Sequence, residues 1–486
     1  MPPAPQMSDY LYRHFAYQQF LGLALLIALL LAWLLLKFVR GHGVIAPAPL
    51  WAIVLIAAVI RLPLLFQSYW YDENFTSLVV RGSWSQFFSI VVTDVHPPGY
   101  YFVVKLFTLA LGHHEIVMRL PAFISGLLLV VVIYHLASYA FYAFYTSAIW
   151  TALLAAILPA ATYYSAEARY PAALALALAV ALLGLQRQRY WLTSISLAAA
   201  ASFHVNAWFT VGVFVVWLWW HRKWMYSLPG VAVILAWLPF AYVQSRDVVD
   251  GFWLQQSMPL RFAVDMTITN RFGDILPPVV VLLMIGVFMS VVAASVWKWR
   301  KRVSWLWLAL VVIPPAAQWL TGLVLAPIYL PRTLLFSALL LLVPLGEYVA
   351  YHSTIWIRGA VVVCVTMAMF AIYSHDRSPA DDVVSRCEDR IVYAGTTFSA
   401  IVASHYSDNV ILWRDGETTA QDMSYDVRND LWLLTDFEWL PEKDACFFTV
   451  VDSFTSQQQV DHLAKLVNEP EILYQNNYAY YALEIR

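Results

Sequence analysis

A polytopic α-helical membrane protein, with roughly 11–13 transmembrane helices and a small C-terminal α/β soluble domain, is the fold class this sequence predicts. Three observations lead there. Of 486 residues 61% are hydrophobic and 12% charged, where soluble chains carry about twice that charged share. Apolar runs of membrane-crossing length recur about a dozen times along the chain. The charges also segregate. The last 111 residues, 376–486, hold 20 of the 31 acidic residues and 8 of the 29 Lys and Arg, leaving 11 and 21 for the rest.

The apolar runs lie at 20–36, 50–66, 117–136, 148–164, 171–185, 191–203, 205–220, 228–243, 278–297, 305–325, 334–349 and 357–373. The first is too long for a signal-peptide core and reads as an uncleaved helix. Residues 99–111 form a further apolar run, short enough to cross obliquely or to lie at the interface. Basic pairs and clusters (Lys37/Arg40, Arg187/Arg189, Arg222/Lys223, residues 298–302, Arg358) mark cytoplasmic helix ends, because Lys and Arg near helix ends stay inside. Alternation from them places the 72–98 loop, the 164–171 turn, the 244–277 loop and the tail outside. Three runs lie between the first two outer points, where an even number is needed, so either the 99–111 run does not cross or a further boundary lies between them.

This organisation gives a transmembrane domain at 1–373, with an outer loop at 67–98, and an extracytoplasmic soluble domain at 374–486. In the tail, 390–394, 409–413 and 446–451 read as strands, 399–406 and 456–467 as helices, and 478–485 as an edge strand. Cys387 and Cys446 both lie there and are able to pair if the compartment is oxidising. An acidic soluble domain argues against nucleic acid as a partner.

Ionisable residues are scarce in the first 375 positions and costly at membrane depth, so their placement is informative. Asp72 and Glu73 follow an apolar run in Ser68-Tyr-Trp-Tyr-Asp-Glu-Asn74. Asp94-Val-His-Pro-Pro-Gly-Tyr-Tyr101 closes the same loop. Glu167-Ala-Arg-Tyr-Pro171 ends another helix, His204 sits between two apolar runs in Ser202-Phe-His-Val-Asn206, and Arg332 opens a late helix. A carboxylate pair at an outer helix end either accepts a proton from a hydroxyl or holds a divalent cation such as Mg or Mn. Arg and His beside it neutralise a departing phosphate. Each has a plain alternative: a solvated helix cap for Asp72 and Glu73, a packing histidine at 204, an interfacial ion pair or anchor for Glu167, Arg169 and Arg332.

The acidic pair, His-Pro-Pro-Gly-Tyr-Tyr101, Arg119-Leu-Pro121, Tyr164-Ser-Ala-Glu-Ala-Arg-Tyr170, Phe203-His204 and Pro331-Arg332-Thr-Leu-Leu335 follow one another in the order used by the C-type glycosyltransferases. Residues 50–349 resemble that superfamily, nearest its bacterial protein O-mannosyltransferase and aminoarabinose transferase branch. Phe203 stands where that branch has Thr, and Thr333 where it has an aromatic residue. The resemblance implies an inverting transfer of a sugar from a polyprenyl-phosphate donor to an acceptor hydroxyl on a glycan, lipid or protein, outside the bacterial inner membrane, without a nucleotide. It implies Asp72 as base with Glu73 beside it, both also candidate metal ligands. Asp94, His96, Glu167, Arg169, Tyr170, His204 and Arg332 are implied to line the donor and substrate cavity. A flippase of a lipid-linked sugar is disfavoured by the absence of internal repeats. An oligosaccharide ligase is disfavoured by an outer 244–277 loop with only Arg246, Arg261 and Arg271.

Overall fold

The computed structural model describes residues 48–67, 69–140, 145–251, 304–324 and 328–351, five strands between 392 and 485, and a few isolated positions. The expected runs at 20–36 and 357–373, and nearly all of 278–297, lie outside the described residues, as does the 252–277 part of the outer loop. The chain divides into two compact units. One comprises Met1–Phe66, Val95–Val103 and Arg119–His375; the other comprises Gln67–Asp94, Val104–Met118 and Asp376–Arg486.

The first unit is a bundle of apolar helices. Helix α1 (Ala48–Arg61) tightens into a 3-10 turn, Leu62–Phe66. In the second unit, α2 (Tyr71–Arg81) and α3 (Trp84–Thr93) occupy the stretch expected to be an outer loop. The segment is helical because it carries its own helix signals. Ser83 caps α3, with Gln86 N–H donating to Ser83 Oγ at 3.3 Å and Ser83 N–H donating to Gln86 Oε1 at 2.8 Å, a reciprocal box legible in the sequence.

Helices α4 (Gly99–Leu111) and α5 (Glu115–Ala140) follow. At 13 residues α4 spans about 20 Å, short of the ~30 Å hydrocarbon layer if upright. The run at 148–164 is broken rather than continuous, into α6 (Tyr145–Ile157) and α7 (Pro159–Tyr164), because Pro159 offers no N–H to continue the ladder. Then come α8 (Pro171–Gln186), α9 (Tyr190–Phe203), α10 (Ala207–Trp220), a 3-10 turn Trp224–Ser227 and α11 (Leu228–Gly251). Helix α12 (Trp305–Val324) is followed by a 3-10 turn, Pro331–Leu334, and α13 (Leu335–Tyr351).

Five helical stretches are long and apolar enough to cross a membrane, and five more are apolar but shorter, among the described residues. Leu55, Leu128, Ile195, Val216, Leu235 and Val312 are exposed on the bundle's outside, which suits a lipid environment and no aqueous one. The chain is a polytopic helical membrane protein.

Helix α9 packs on α8 and α11, α6 on α1 and α13, and α10 on α12. Two fully buried arginines pin the bundle through backbone. Arg61 donates to the carbonyls of Ala57 at 3.1 Å and Ala156 at 2.7 Å, and Arg119 to that of Leu65 at 2.8 Å. Helices α6 and α13 meet through small residues, and a Cβ on Gly346 would sit 2.8 Å from the Thr151 nitrogen and 3.0 Å from the Ser147 carbonyl. Close backbone approach of this kind is how apolar helices associate without a hydrophobic drive.

In the second unit the sheet order is β2-β1-β3-β5-β4. β1 (Val392–Ala394) runs parallel to β2 (Val410–Leu412) and β3 (Ala445–Val450), whereas β5 (Tyr480–Ile485) is antiparallel to β3 and to β4 (Glu471–Gln475). The expected edge strand near 478–485 is therefore an inner one, because Glu471–Gln475 supplies an unforeseen strand outside it. Of the helices expected at 399–406 and 456–467, only Val402 is among the described residues, and it is helical.

Gly346→Ala should destabilise the protein by about 1–3 kcal/mol through overpacking. Gly212→Ala, at a helical site where a Cβ meets nothing within 4 Å, should be neutral or slightly stabilising. Thermal unfolding in detergent checks both; equal midpoints would contradict the packing at Gly346.

Candidate active site

Three connections in the first unit converge. The turn at 165–170 joins α7 to α8 and exists because Pro171 starts a new helix at its first position. The turn at 204–206 joins α9 to α10, and the Pro331–Leu334 turn precedes α13. The His96-Pro-Pro-Gly99 stretch packs onto the end of α9, where a Cβ on Gly99 would lie 2.7 Å from the Ser202 carbonyl. Glycine is required there by proximity.

These turns gather His96, Arg169, Tyr170, His204 and Arg332, with Tyr101. Arg169 is 3% exposed. It donates to the Tyr101 hydroxyl at 3.1 Å and to His96 Nε2 at 3.3 Å. Its guanidinium carbon lies 5.9 Å from the centres of both the Tyr101 and Tyr170 rings. Arg332 approaches Tyr170 from its own turn, at 6.0 Å. The His204 ring is 4.5 Å from that of Tyr170 and 5.0 Å from that of His96.

The two histidines are held in opposite tautomers. A guanidinium only donates, so His96 Nε2 accepts and its proton sits on Nδ1. The backbone N–H of Asn206 donates to His204 Nδ1 at 3.0 Å, so the neutral His204 ring carries its proton on Nε2. Burial holds the His204 pKa well below its usual 6.5, and His96, Arg332 and Arg169 depress it further. His204 is thus a neutral hydrogen-bond donor within electrostatic reach of two cations. Glu167, 1% exposed, shares the Arg169 turn, and Tyr164 lies within electrostatic reach of Glu167 and Arg332. Two arginines and an oriented imidazole, backed by tyrosines, make an anion site of the kind that holds a phosphate.

Both departures from the family pattern have partners here. Phe203 meets Tyr100 edge to face at 6.1 Å. The Thr333 hydroxyl lies 2.7 Å from the Leu330 carbonyl and 3.1 Å from Gln318 Oε1.

Asp72, Glu73 and Asp94 belong to the second unit. Asp72 and Glu73 occupy the first turn of α2, where the helix dipole favours carboxylates. Glu73 is fully buried and Asp72 half-buried. Asp94 caps the end of α3 and is 7% exposed. Adjacent helix positions diverge by about 100°, so the pair turns only one carboxylate in any direction. Among the described residues no three His, Cys, Asp or Glu side chains gather to hold a metal ion. Lys105 was not foreseen. It donates to the carbonyls of Val80 at 3.0 Å and Gly82 at 2.6 Å and sits 5.0 Å from the Trp84 ring centre. It closes the end of α2 and so steadies the helix that carries Asp72. A lysine inside an apolar run was the signal.

No family model matches the sequence, and no curated protein matches it. Solved structures do. ArnT from Cupriavidus metallidurans bound to undecaprenyl phosphate aligns with a TM-score of 0.58 at 14% identity, over 90% of this chain and 98% of that one. The chain has the fold of ArnT. ArnT in the apo state gives 0.57 at 14% identity, over 89% and 96%. The fold expected from the resemblance to C-type glycosyltransferases is the fold found. The archaeal oligosaccharyltransferase AglB from Archaeoglobus fulgidus, in complex with an inhibitory peptide and a dolichol-phosphate, aligns more loosely, with a TM-score of 0.47 at 11% identity over 92% and 75%.

The neutral His204 has a pH signature. Its folded pKa is depressed, so below 6.5 the unfolded chain binds the extra proton and the folded chain does not. Stability from this group is complete above 6.5 and declines as pH falls beneath it. Thermal midpoints measured from about pH 8 to about pH 5 should fall less steeply for His204→Asn than for wild type. Identical slopes would contradict a neutral buried ring.

Proposed function

We propose that this protein is a membrane glycosyltransferase that moves a sugar from a polyprenyl-phosphate donor to an acceptor hydroxyl, with inversion, on the outer face of the inner membrane. The observation that carries the reading is the cluster of Arg169, Arg332, His96, His204 and Tyr170, in a fold shared with a protein that binds undecaprenyl phosphate.

In this reading Asp72 takes the proton from the acceptor hydroxyl. The acceptor oxygen forms the new bond to the anomeric carbon, and the carbon–oxygen bond to phosphate breaks with its electron pair leaving on the phosphate. Arg332 and Arg169 balance the charge that grows there, and the Nε2–H of His204 donates to a phosphate oxygen. His96 holds Arg169 in place. The role of Asp72, with Glu73 beside it, rests on the family resemblance, and so do the substrate-binding roles of Asp94 and Glu167. A divalent cation, Mg or Mn, would be held by Asp72, with Glu73 the other expected ligand, and would supply further charge neutralisation. The acceptor is a glycan, lipid or protein of the cell envelope.

We place the transmembrane domain at 1–373 and a soluble α/β domain at 374–486 outside the cytoplasmic membrane. Cys387 is disulfide-bonded, which supports an oxidising, extracytoplasmic location for the tail.

Purified protein in vesicles with a polyprenyl-phosphate sugar and an acceptor extract should release polyprenyl monophosphate. Asp72→Asn should lower turnover by about 10²-fold or more, the scale of losing a general base. Release of a diphosphate, or a change of sidedness alone, would instead identify a ligase or a flippase. Turnover near wild type in Asp72→Asn would remove that residue from the mechanism.

A further inference from the structure

We propose that Gln318 is a positioning residue for the donor-phosphate site, tying the turn that carries His204 to the turn that carries Arg332. The inference rests on the function proposed above and adds a residue that no motif supplied.

Gln318 is fully buried in the apolar helix α12. An amide at such a place is costly unless its hydrogen bonds are made. Its Oε1 faces three groups: Asn206 Nδ2 at 3.3 Å, Leu330 N at 3.4 Å and Thr333 Oγ1 at 3.1 Å. Asn206 Nδ2 and Leu330 N only donate, so oxygen must be the atom turned toward them. Each of these bonds is long, but they meet at one atom.

The two ends of this junction are the two turns of interest. Asn206 gives its backbone N–H to His204 Nδ1 at 3.0 Å and its second amide proton to the Ile328 carbonyl at 2.7 Å. One residue thus sets the His204 tautomer with its backbone and reaches Gln318 with its side chain. On the other side, Leu330 and Thr333 flank Arg332, and Thr333 Oγ1 also lies 2.7 Å from the Leu330 carbonyl. Gln318 holds one position on each side of the arginine, Leu330 two residues before it and Thr333 directly after. Thr333, the departure from the aromatic of the family pattern, adds a hydroxyl whose single proton is shared between Gln318 Oε1 and the Leu330 carbonyl.

A leucine at 318 would leave the Asn206 and Leu330 protons without their shared acceptor inside an apolar bundle. The turns would then shift to find other partners. Displacements of about 1 Å are enough to cost binding or rate by one to two orders of magnitude. Glutamate at 318 keeps an oxygen at the junction, and valine at 333 removes only the hydroxyl.

The test uses full-length protein in nanodiscs with undecaprenyl phosphate as the probe, and reads dissociation constant and ligand-free thermal midpoint for each variant. Gln318→Leu and Thr333→Val should weaken binding by about tenfold, and Gln318→Glu should stay within about threefold of wild type. In an Arg332→Lys background, Gln318→Leu should cost less than it does in the wild type, because part of its effect runs through the arginine turn. Binding by Gln318→Leu and Thr333→Val equal to wild type overturns the proposal, as does full additivity with Arg332→Lys. If Gln318→Leu fails to fold, Thr333→Val decides by the same criterion. A wild type that does not bind undecaprenyl phosphate overturns the functional reading and this inference together, a result distinct from either.

Discussion

Two guanidinium groups placed among apolar helices impose the order of everything around them. Charge in a low-dielectric bundle is costly, and the cost is met only by groups that hydrogen-bond or polarise toward it. Arg169 meets this condition with a phenol, an imidazole nitrogen and two aromatic faces. Because arginine cannot lose its proton, its neighbours adjust instead. His96 turns an acceptor toward it, and His204 stays neutral under the combined influence of burial and the nearby charges.

The same demand explains why the helices are broken where they are. A continuous helix satisfies its own backbone and offers nothing to a ligand. The chain interrupts its helices at residues 158, 165–170, 204–206 and 328–334, and it does so with proline or with polar side chains that take over the freed backbone groups. Asn206 shows the economy of this arrangement, since it serves a ring nitrogen, a carbonyl and an amide from one position. Arg61 and Arg119 do the corresponding structural work elsewhere in the bundle, each on a buried carbonyl near the end of another element.

Much of this was legible in the sequence, for physical reasons. Long apolar runs have one stable form in lipid, so α5, α8, α9 and α10 emerge within a few residues of their expected limits. The scarcity of charge made His96, Arg169, His204 and Arg332 conspicuous, and they do come together. The helices α2 and α3 were missed because, at 11 and 10 residues, each is too short to stand out when only long apolar runs are weighed. The inner place of β5 was hidden because strand order depends on pairings that no single strand encodes. Tyr101, Asn206 and Gln318 went unassigned because an ordinary polar residue shows its purpose only when its partners, up to 122 positions distant, are in view.

A density map of the protein in nanodiscs with undecaprenyl phosphate bound tests the central claim most directly. The account predicts phosphate density within hydrogen-bonding distance of the Arg332 guanidinium and of His204 Nε2, with Arg169 still on His96. A phosphate resolved at the cytoplasmic ends of the helices, with Arg332 and His204 untouched, would contradict it.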